Sequence, residues 1–457
     1  MSVMRVLLID PPFHTLMGYY RFYFPLGLTY LAAVLKEAGH EVLIYDADQN
    51  DKGVSLSMRE AAESHHLYLE ALENDLHPSW QGFKKKLEEF KPQVVGISVL
   101  TVKVASAAKI ARITKAHDRS IVVVAGGEHV TVRPQDVPVD CVDHVICGEG
   151  EQGFSSLMKG LTSGDPNPRV VDSQLVEDLD SLPLPELDCL HDISLYRPLD
   201  LGLMVTARGC PFSCTFCSLA TIWGRRVRYH SLDRVIREIK LRKVKYGTNY
   251  FSFRNGTFTL KRQRVVDFCQ RLLAQDMGIK WECLTRVDVI DKELVGLMRR
   301  AGCDVIRVGV ESGSDEILKY MKKGITLAKI RKAANILNSS GMYWAAYFML
   351  GVPNETEETV KESLKFIKEI NPPFVTLARY TPLPGTAMYE DVVTRGLLDP
   401  NETDWAWASN QSISKPFVES GDNGRLTELM DEASQLVKEH NAHNEVVRSD
   451  VRLRKAV

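Results

Sequence analysis

The sequence predicts an α/β protein: a doubly wound parallel sheet, then a partial barrel of six βα units, then a small and mostly helical C-terminal region. Three observations carry this prediction. Short apolar runs alternate with amphipathic helical stretches twice, from residue 1 to about 162 and again from about 203. The strand-like runs are almost continuously apolar, as in parallel sheets covered on both faces. The chain has 457 residues, too many for one core of ordinary size.

In order along the first region, "RVLLID" is a strand ended by Pro11 and Pro12, and "LGLTYLAAVLKEAGH" is an amphipathic helix stopped by Gly39. "EVLIYDAD" is the next strand. A polar, helix-like stretch leads to "QVVGISVL", a helix from about Val104 to Lys115, "SIVVVAGGEH" and "HVICGEGE". Residues 163–200 break the alternation. Their "SGDPNPRVVDSQLVEDLDSLPLPELD" is rich in proline and acid, without a period, and reads as a linker. The second alternation covers 201–390. Its strands are "LMVTAR", "YFSF", "KWECLTR", "VIRVGVES", "WAAYFMLGVP" and "FVTLARYTP". Between the first two lies "SLDRVIREIKLRKVKYG", with Ser231 as N-cap and Gly247 near its end. In 391–457 the pattern fades. "TDWAWASNQSISKPF" is irregular, "LTELMDEASQLVKEHN" is a helix, and "VVRSDVRLRKAV" is a frayed tail.

Composition excludes several classes. Hydrophobic residues make up 44%, charged residues 25%, and the formal net charge is −2, so nothing draws the whole chain to nucleic acid or an anionic membrane. No run of about 18 apolar residues predicts a membrane span. The N-terminus enters a strand directly and has no leader pattern. The reading is therefore a cytoplasmic protein, where disulfides are rare. The odd count of nine cysteines weakens a disulfide framework further.

Three cysteines stand within eight positions of "RGCPFSCTFC": Cys210, Cys214 and Cys217. Incidental core cysteines seldom cluster so tightly. A structural zinc site usually takes two ligand pairs, and His230 is the only near histidine. An iron–sulfur cluster fits best, because one short loop wraps three of its corners. A closed zinc site and plain core cysteines stay as competing readings. Cys147, Cys283 and Cys303 lie in or beside apolar runs and read as core; with Cys141, Cys189 and Cys269 they are scattered and suggest no second cluster.

"RGCPFSCTFCS" resembles the signature of the radical S-adenosylmethionine (radical SAM) superfamily, with Phe216 at its aromatic position. The resemblance implies a 4Fe-4S cluster on Cys210, Cys214 and Cys217. S-adenosylmethionine would take the fourth iron and yield a 5′-deoxyadenosyl radical that abstracts hydrogen from a substrate. "VGVESGS" resembles the fourth-strand motif, which puts Glu311 and Ser312 at the ribose or methionine end. "FMLGVP" resembles the fifth-strand segment, which puts the backbone of Leu350, Gly351 and Val352 beside the adenine. Arg286 of "LTRVD" matches an arginine of the third strand's end; a salt bridge at the barrel mouth is its plain alternative. Related chains often carry two acids where this one has Arg254 and Asn255 in "FSFRNGTFT". Arg254 then suits an anionic group on the substrate, against the plain reading of a surface arginine. Arg254, Asn255 and Arg286 are the expected catalytic residues.

In the first region "LLIDPP", "PLGLTYLAAVLKEAGHEV", "VGIS", "AGGEHVT" and "VDHVICGEGE" occur in the order of the Rossmann-like, cobalamin-binding type of domain that precedes the radical domain in one branch of that superfamily. The resemblance implies cobalamin. Its expected contacts are Ser98, Thr101, Gly126, Gly127, Glu128, His129 and Glu149. His14 and His129 sit in the right loops, although a lone loop histidine is more often solvated. No D-x-H-x-x-G loop offers a cobalt ligand. "WGRRVRYH" is the strongest basic run; it reads as a cover over the cluster or a contact to the acidic linker, with RNA the disfavoured alternative. The leading expectation is a cobalamin-dependent radical SAM methyltransferase or cyclase. It would act on a small molecule, with reduction by a donor such as flavodoxin or ferredoxin. The alternatives are a dehydratase, cyclase or carbon–carbon coupling enzyme with a vestigial cobalamin domain, and a non-catalytic zinc scaffold.

Overall fold

A computed structural model describes residues 2–18, 23–49, 64–401, 405, 407, 408, 417, 418 and 423–447. The chain divides into two compact units: Met1–Asp200 with Thr221–Gly224 and Asn401–Ser412, and Leu201–Ala220 with Arg225–Pro400 and Ile413–Val457. Among the described residues no helix is long and apolar enough to cross a membrane.

The first unit holds one six-stranded sheet in the order β2-β1-β3-β4-β5-β6. Its strands are β1 (Arg5–Asp10), β2 (Glu41–Asp46), β3 (Val94–Ser98), β4 (Val122–Gly126), β5 (His144–Gly148) and β6 (Val170–Ser173). All pairs are parallel. The chain leaves β1 to one side for β2 and then to the other for β3, so the topological switch lies between β1 and β3. The apolar runs are buried as expected: Val6, Leu7, Leu8, Ile9, Val94, Val95 and Val123 have no exposed surface.

One expectation fails here. The stretch 163–200 does not serve as a linker throughout, because Val170–Ser173 pairs along β5 and closes the sheet. Four residues with alternate exposure on an edge show no apolar run, and the prolines around them mask the strand. The rest of the stretch stays with this unit through short 3-10 turns. Its Val176, Leu179 and Leu182 pack on Tyr30, and Leu190 bridges to Ile44.

The second unit holds a six-stranded sheet in the order β14-β13-β12-β11-β10-β7. The strands are β7 (Leu203–Met204), β10 (Tyr250–Phe253), β11 (Lys280–Thr285), β12 (Cys303–Glu311), β13 (Tyr343–Leu350) and β14 (Phe374–Arg379). Again every pair is parallel, which is the partial barrel expected. "LMVTAR" is not one strand, however. It breaks after Met204, and β8 (Ala207–Arg208) leaves the sheet to pair antiparallel with β9 (Arg228–Tyr229). Helices follow the 3.6 period and cap as the sequence suggests: Ser231 accepts from Arg234 N, and Gly247 ends the same helix in the left-handed region. The C-terminal helix runs Asn423–Val447. Most of "TDWAWASNQSISKPF" and the last ten residues lie outside the described residues.

Alternation along β10 and β11 sorts two layers. Phe253, Phe258, Phe268 and Trp281 form an aromatic cluster with centroids 5.1–6.0 Å apart. The intervening Ser252 and Glu282 turn to the other face. Trp281 is fully buried and its indole donates to the Ala301 carbonyl at 2.9 Å. Trp281→Ala is expected to cost about 3–5 kcal/mol, read as a lower urea midpoint for the transition of this unit by circular dichroism.

Candidate active site

The cysteine loop follows β8. Backbone hydrogen bonds tie it to distant segments. Thr215 N donates to the Met321 carbonyl at 2.9 Å, and Met388 N donates to the Thr215 carbonyl at 2.8 Å. Cys217 N donates to the Cys214 carbonyl at 3.3 Å, which closes a turn within the loop. Arg225, from the basic run, donates to Ser213 Oγ at 2.8 Å and to the Phe212 carbonyl at 3.3 Å. That contact favours the cover reading of "WGRRVRYH". Gly256 lies against the loop: a Cβ there would stand 3.4 Å from Cys210 Cβ and 3.7 Å from its Sγ.

Burial pushes the Cys214 thiol up, while Lys323 and Arg286 pull it part of the way back. Burial pushes Cys217 up to about 11. Cys217 feels both Cys214 and Cys210, and Cys214 feels Cys210. Among the described residues no group of three His, Cys, Asp or Glu side chains is placed to hold one metal ion. Three soft donors on one loop suit the corners of a cluster, and loading such a site releases the thiol protons.

Two cations face the loop. Arg286 lies 3.7 Å from the Phe212 ring centroid and points Nη1 at Cys214 Sγ, 3.9 Å away. Asp288 takes its Nε and Nη2 at 2.9 Å each, and the Lys323 carbonyl accepts from Nη2 at 2.8 Å. The salt bridge named as the plain alternative for Arg286 is present, to Asp288, and a contact to Cys214 stands beside it. Lys323, which the sequence did not single out, is buried. It pairs with Glu311 Oε1 at 2.6 Å and stands 5.7 Å from the Phe216 ring. Glu311 has φ 69°, a left-handed backbone at a β12 irregularity. Such strain in a non-glycine residue is a mark of functional sites. Ser312 is fully buried, and its Oγ sits 3.2 Å from Ser363 Oγ and accepts from Ser314 N. It fixes the turn rather than facing outward.

At the end of β13, Leu350, Gly351 and Val352 are buried. Two of their backbone groups are engaged within the fold: Leu350 O accepts from Tyr380 N at 2.7 Å, and Gly351 N donates to Glu355 Oε2. Glu355 was not foreseen. It is 1% exposed, its other oxygen has no hydrogen-bond partner, and burial pushes its carboxyl up to about 8 despite the Gly351 and Val352 amides.

The neighbours Arg254 and Asn255 separate in role. Asn255 is buried with its amide committed: Oδ1 accepts from Thr206 N and Nδ2 donates to Thr206 Oγ1, both at 2.8 Å. It pins the break between β7 and β8, so its expected catalytic role gives way to a structural one. Arg254 reaches into the strand layer. Its Nη2 meets Glu282 Oε1 at 3.0 Å, while Arg307 meets Glu282 Oε2 at 2.8–2.9 Å and Ser252 Oγ donates at 2.7 Å. Burial opposes the Glu282 charge, but Arg307, Arg254 and Ser252 outweigh it and hold the carboxyl below its usual range. The Arg254 side chain keeps 23% exposure against 5% for Glu282.

In the first unit, the expected contacts lie on the loops at the C-terminal ends of β3, β4 and β5, where doubly wound sheets bind ligands. Ser98 and Gly126 are half-buried, and Glu128 is exposed. Gly127 has φ 116°, and a Cβ there would stand 2.9 Å from the Val99 carbonyl oxygen, so packing alone demands glycine. His129 is not solvated. It is fully buried, with Nδ1 3.3 Å from Thr101 Oγ1 and Nε2 3.0 Å from Asp136. Burial lowers its pKa even against the pull of Asp136. Asp136 also takes Arg133 at 2.6 Å and the indole of Trp405 at 2.8 Å. Glu149 is buried and accepts from Val176 N at 2.7 Å. These side chains therefore brace their loops. The switch point itself holds a group the sequence did not reveal: buried Lys103 between Asp10 (2.7 Å) and Asp48 (2.9 Å), with Asp48 also 2.7 Å from His14 Nδ1. Asp46 accepts from Tyr196 OH at 2.6 Å.

The raised Glu355 pKa makes a signed prediction. The folded state keeps a proton that the unfolded state, with its usual value near 4.5, gives up. Stability therefore falls as pH rises from about 4.5 to about 8, with a slope approaching about 1.4 kcal/mol per pH unit. Glu355→Gln should flatten that decline and be the more stable form at pH 8, checked by urea unfolding across that range.

Two family models match the chain: the radical SAM superfamily over residues 204–367 and the B12 binding domain over residues 19–158. An uncharacterised methyltransferase of Pyrococcus horikoshii is 31% identical, with 87% of this chain and 85% of that protein covered. An anaerobic magnesium-protoporphyrin IX monomethyl ester cyclase of Rubrivivax gelatinosus is 28% identical, with 85% and 70% covered. Among solved structures, the radical SAM methyltransferase TsrM from Kitasatospora setae, with cobalamin and a [4Fe-4S] cluster bound, superposes with a TM-score of 0.65 at 17% identity, covering 86% of this chain and 78% of that one. This last likeness shows the fold. The chain belongs to the radical SAM superfamily, in its branch with a B12 binding domain, and its cofactors are a 4Fe-4S cluster, S-adenosylmethionine and cobalamin.

Proposed function

We propose that Cys210, Cys214 and Cys217 hold the cluster and that the reaction is methylation of an unactivated carbon in a small, acidic substrate. The observation that supports the site is the convergence of Arg286 on Cys214 and of the Lys323–Glu311 pair on Phe216, at one end of a parallel barrel. When bound, the cluster, S-adenosylmethionine and cobalamin supply the adenosyl radical and the methyl group. The protein's own part is positional. Arg225 and the backbone bonds of Thr215 fix the thiol loop. Glu311 and Lys323 present charge beside Phe216. Arg254 offers a guanidinium with accessible surface above a carboxylate already saturated by three donors, which suits an acid group on the substrate. A radical rearrangement or cyclisation is the second reading, favoured by the likeness to the Rubrivivax gelatinosus cyclase. A flavodoxin- or ferredoxin-type donor in the cytoplasm would provide the electron.

The test is anaerobic reconstitution with iron, sulfide and hydroxocobalamin, followed by incubation with dithionite and methyl-deuterated S-adenosylmethionine. Release of 5′-deoxyadenosine and co-elution of corrinoid are expected. Cys214→Ala should lose the cluster and at least a hundredfold of the cleavage rate. Stoichiometric zinc without cleavage would overturn the site, and so would a full cluster in the Cys214 variant. With acidic small molecules as acceptors, deuterated methyl in the product marks methylation. An unlabelled product formed with 5′-deoxyadenosine would move the assignment to rearrangement or cyclisation.

A further inference from the structure

We infer that Arg286 is a positioning residue that acts through Cys214: its fixed guanidinium donates toward a cluster-bearing sulfur and sets how readily the cluster accepts its electron. The inference rests on the cysteine loop holding the cluster. It gives the expected catalytic residue Arg286 a positioning role in place of a direct one.

The argument starts from the fork. A guanidinium is charged at every working pH and carries five donors in one plane. Here Nε and one Nη2 proton lie on Asp288, and Nη2 also meets the Lys323 carbonyl. The ring of Phe212, which is inside the cysteine loop, covers the face at 3.7 Å. A cation over an aromatic face at that range is attractive. With the side chain 6% exposed, these contacts leave Nη1 directed at Cys214 Sγ at 3.9 Å. Four restraints from three segments hold one N–H toward one sulfur. A salt bridge that only closed the barrel mouth would not need the ring of the cysteine loop or the sulfur contact.

The physical consequence has a definite sign. Reduction adds one electron to the cluster and so one negative charge. Positive charge and N–H donors near its sulfurs favour the reduced form and raise the potential. Asp288 partly offsets the Arg286 charge. Removing Arg286 should therefore lower the potential, and removing the Asp288 charge should raise it.

The experiment is an EPR-monitored redox titration of the reconstituted full-length protein, with dithionite as the electron source and mediators, for the wild type, Arg286→Gln and Asp288→Asn. Iron and sulfide are counted in each. At a fixed applied potential, Arg286→Gln is expected to hold an at least tenfold smaller ratio of reduced to oxidised cluster, about 59 mV for a one-electron couple. Asp288→Asn is expected to shift the ratio the other way. Opposite shifts support the inference. Unchanged potentials, or shifts of the same sign, with full clusters overturn it. If Arg286→Gln takes up no cluster, Asp288→Asn decides, and its potential must rise. Failure of the underlying site shows differently, as a full cluster in Cys214→Ala.

Discussion

Parallel pairing is the constraint on which the rest depends. Every strand in each six-stranded sheet runs the same way, so each sheet delivers all its strand-end loops to one edge. In the second unit this gathers Arg254, Arg286, Glu311 and Gly351 at the ends of successive strands, although a whole strand–helix unit separates each from the next in sequence. The cysteine loop joins them because the first strand stops after Met204 and turns aside. Asn255 enforces that turn by holding Thr206 from two sides. A continuous strand through Arg208 would carry the loop elsewhere.

The second theme is how the molecule handles buried charge. An unpaired buried ion costs several kcal/mol, and a pair tolerates burial only with good geometry and further hydrogen bonds. Both units meet that demand in the same way. Lys103 sits between two aspartates in the first, and Glu282 sits between two arginines in the second. Each group ties adjacent strand ends or loops with directional contacts, which hydrophobic packing does not supply. Glu355 is the exception. It keeps only backbone donors, and its proton replaces the missing cation.

Much of this was legible in the sequence, for a physical reason. Apolar runs and 3.6-residue periods report burial locally, so the barrel strands after the first and the first five strands of the other sheet stand where expected; "LMVTAR" breaks after Met204. The cysteine spacing is local chemistry and was equally visible. The edge strand β6 was not, since one exposed edge and a polar alternation leave no apolar run. Lys103 and Trp405 were invisible because their partners are far along the chain: Asp10 lies 93 residues from Lys103, and Asp136 lies 269 from Trp405; Glu282 and Lys323 have nearer partners, 28 and 12 residues away, but on other elements or turns. The only available signal was a charged residue inside a strand, as in "KWECLT", where an acid among apolar neighbours asks for a buried partner.

Arg254 and Asn255 show why residue type at a motif position does not settle its role. Both stand where related chains often carry acids, and both were expected to do chemistry. Successive residues at a strand end face opposite sides, so only one of them can share the face of Ser252 and Glu282. Arg254 is that residue, since Ser252 and Arg254 reach the same carboxylate. Asn255 turns instead to Thr206 and shapes the path into the cysteine loop. A swap of acids for these two residues therefore changes two separate things: the charge beside Glu282, and the clasp on Thr206. Glu282 already takes three donors, so an acid in place of Arg254 would leave two carboxylates facing each other with Arg307 alone between them. The arginine therefore serves the strand layer beneath it, sharing Glu282 with Arg307, and its planar fork could meet a second anionic group as lysine's single ammonium could not.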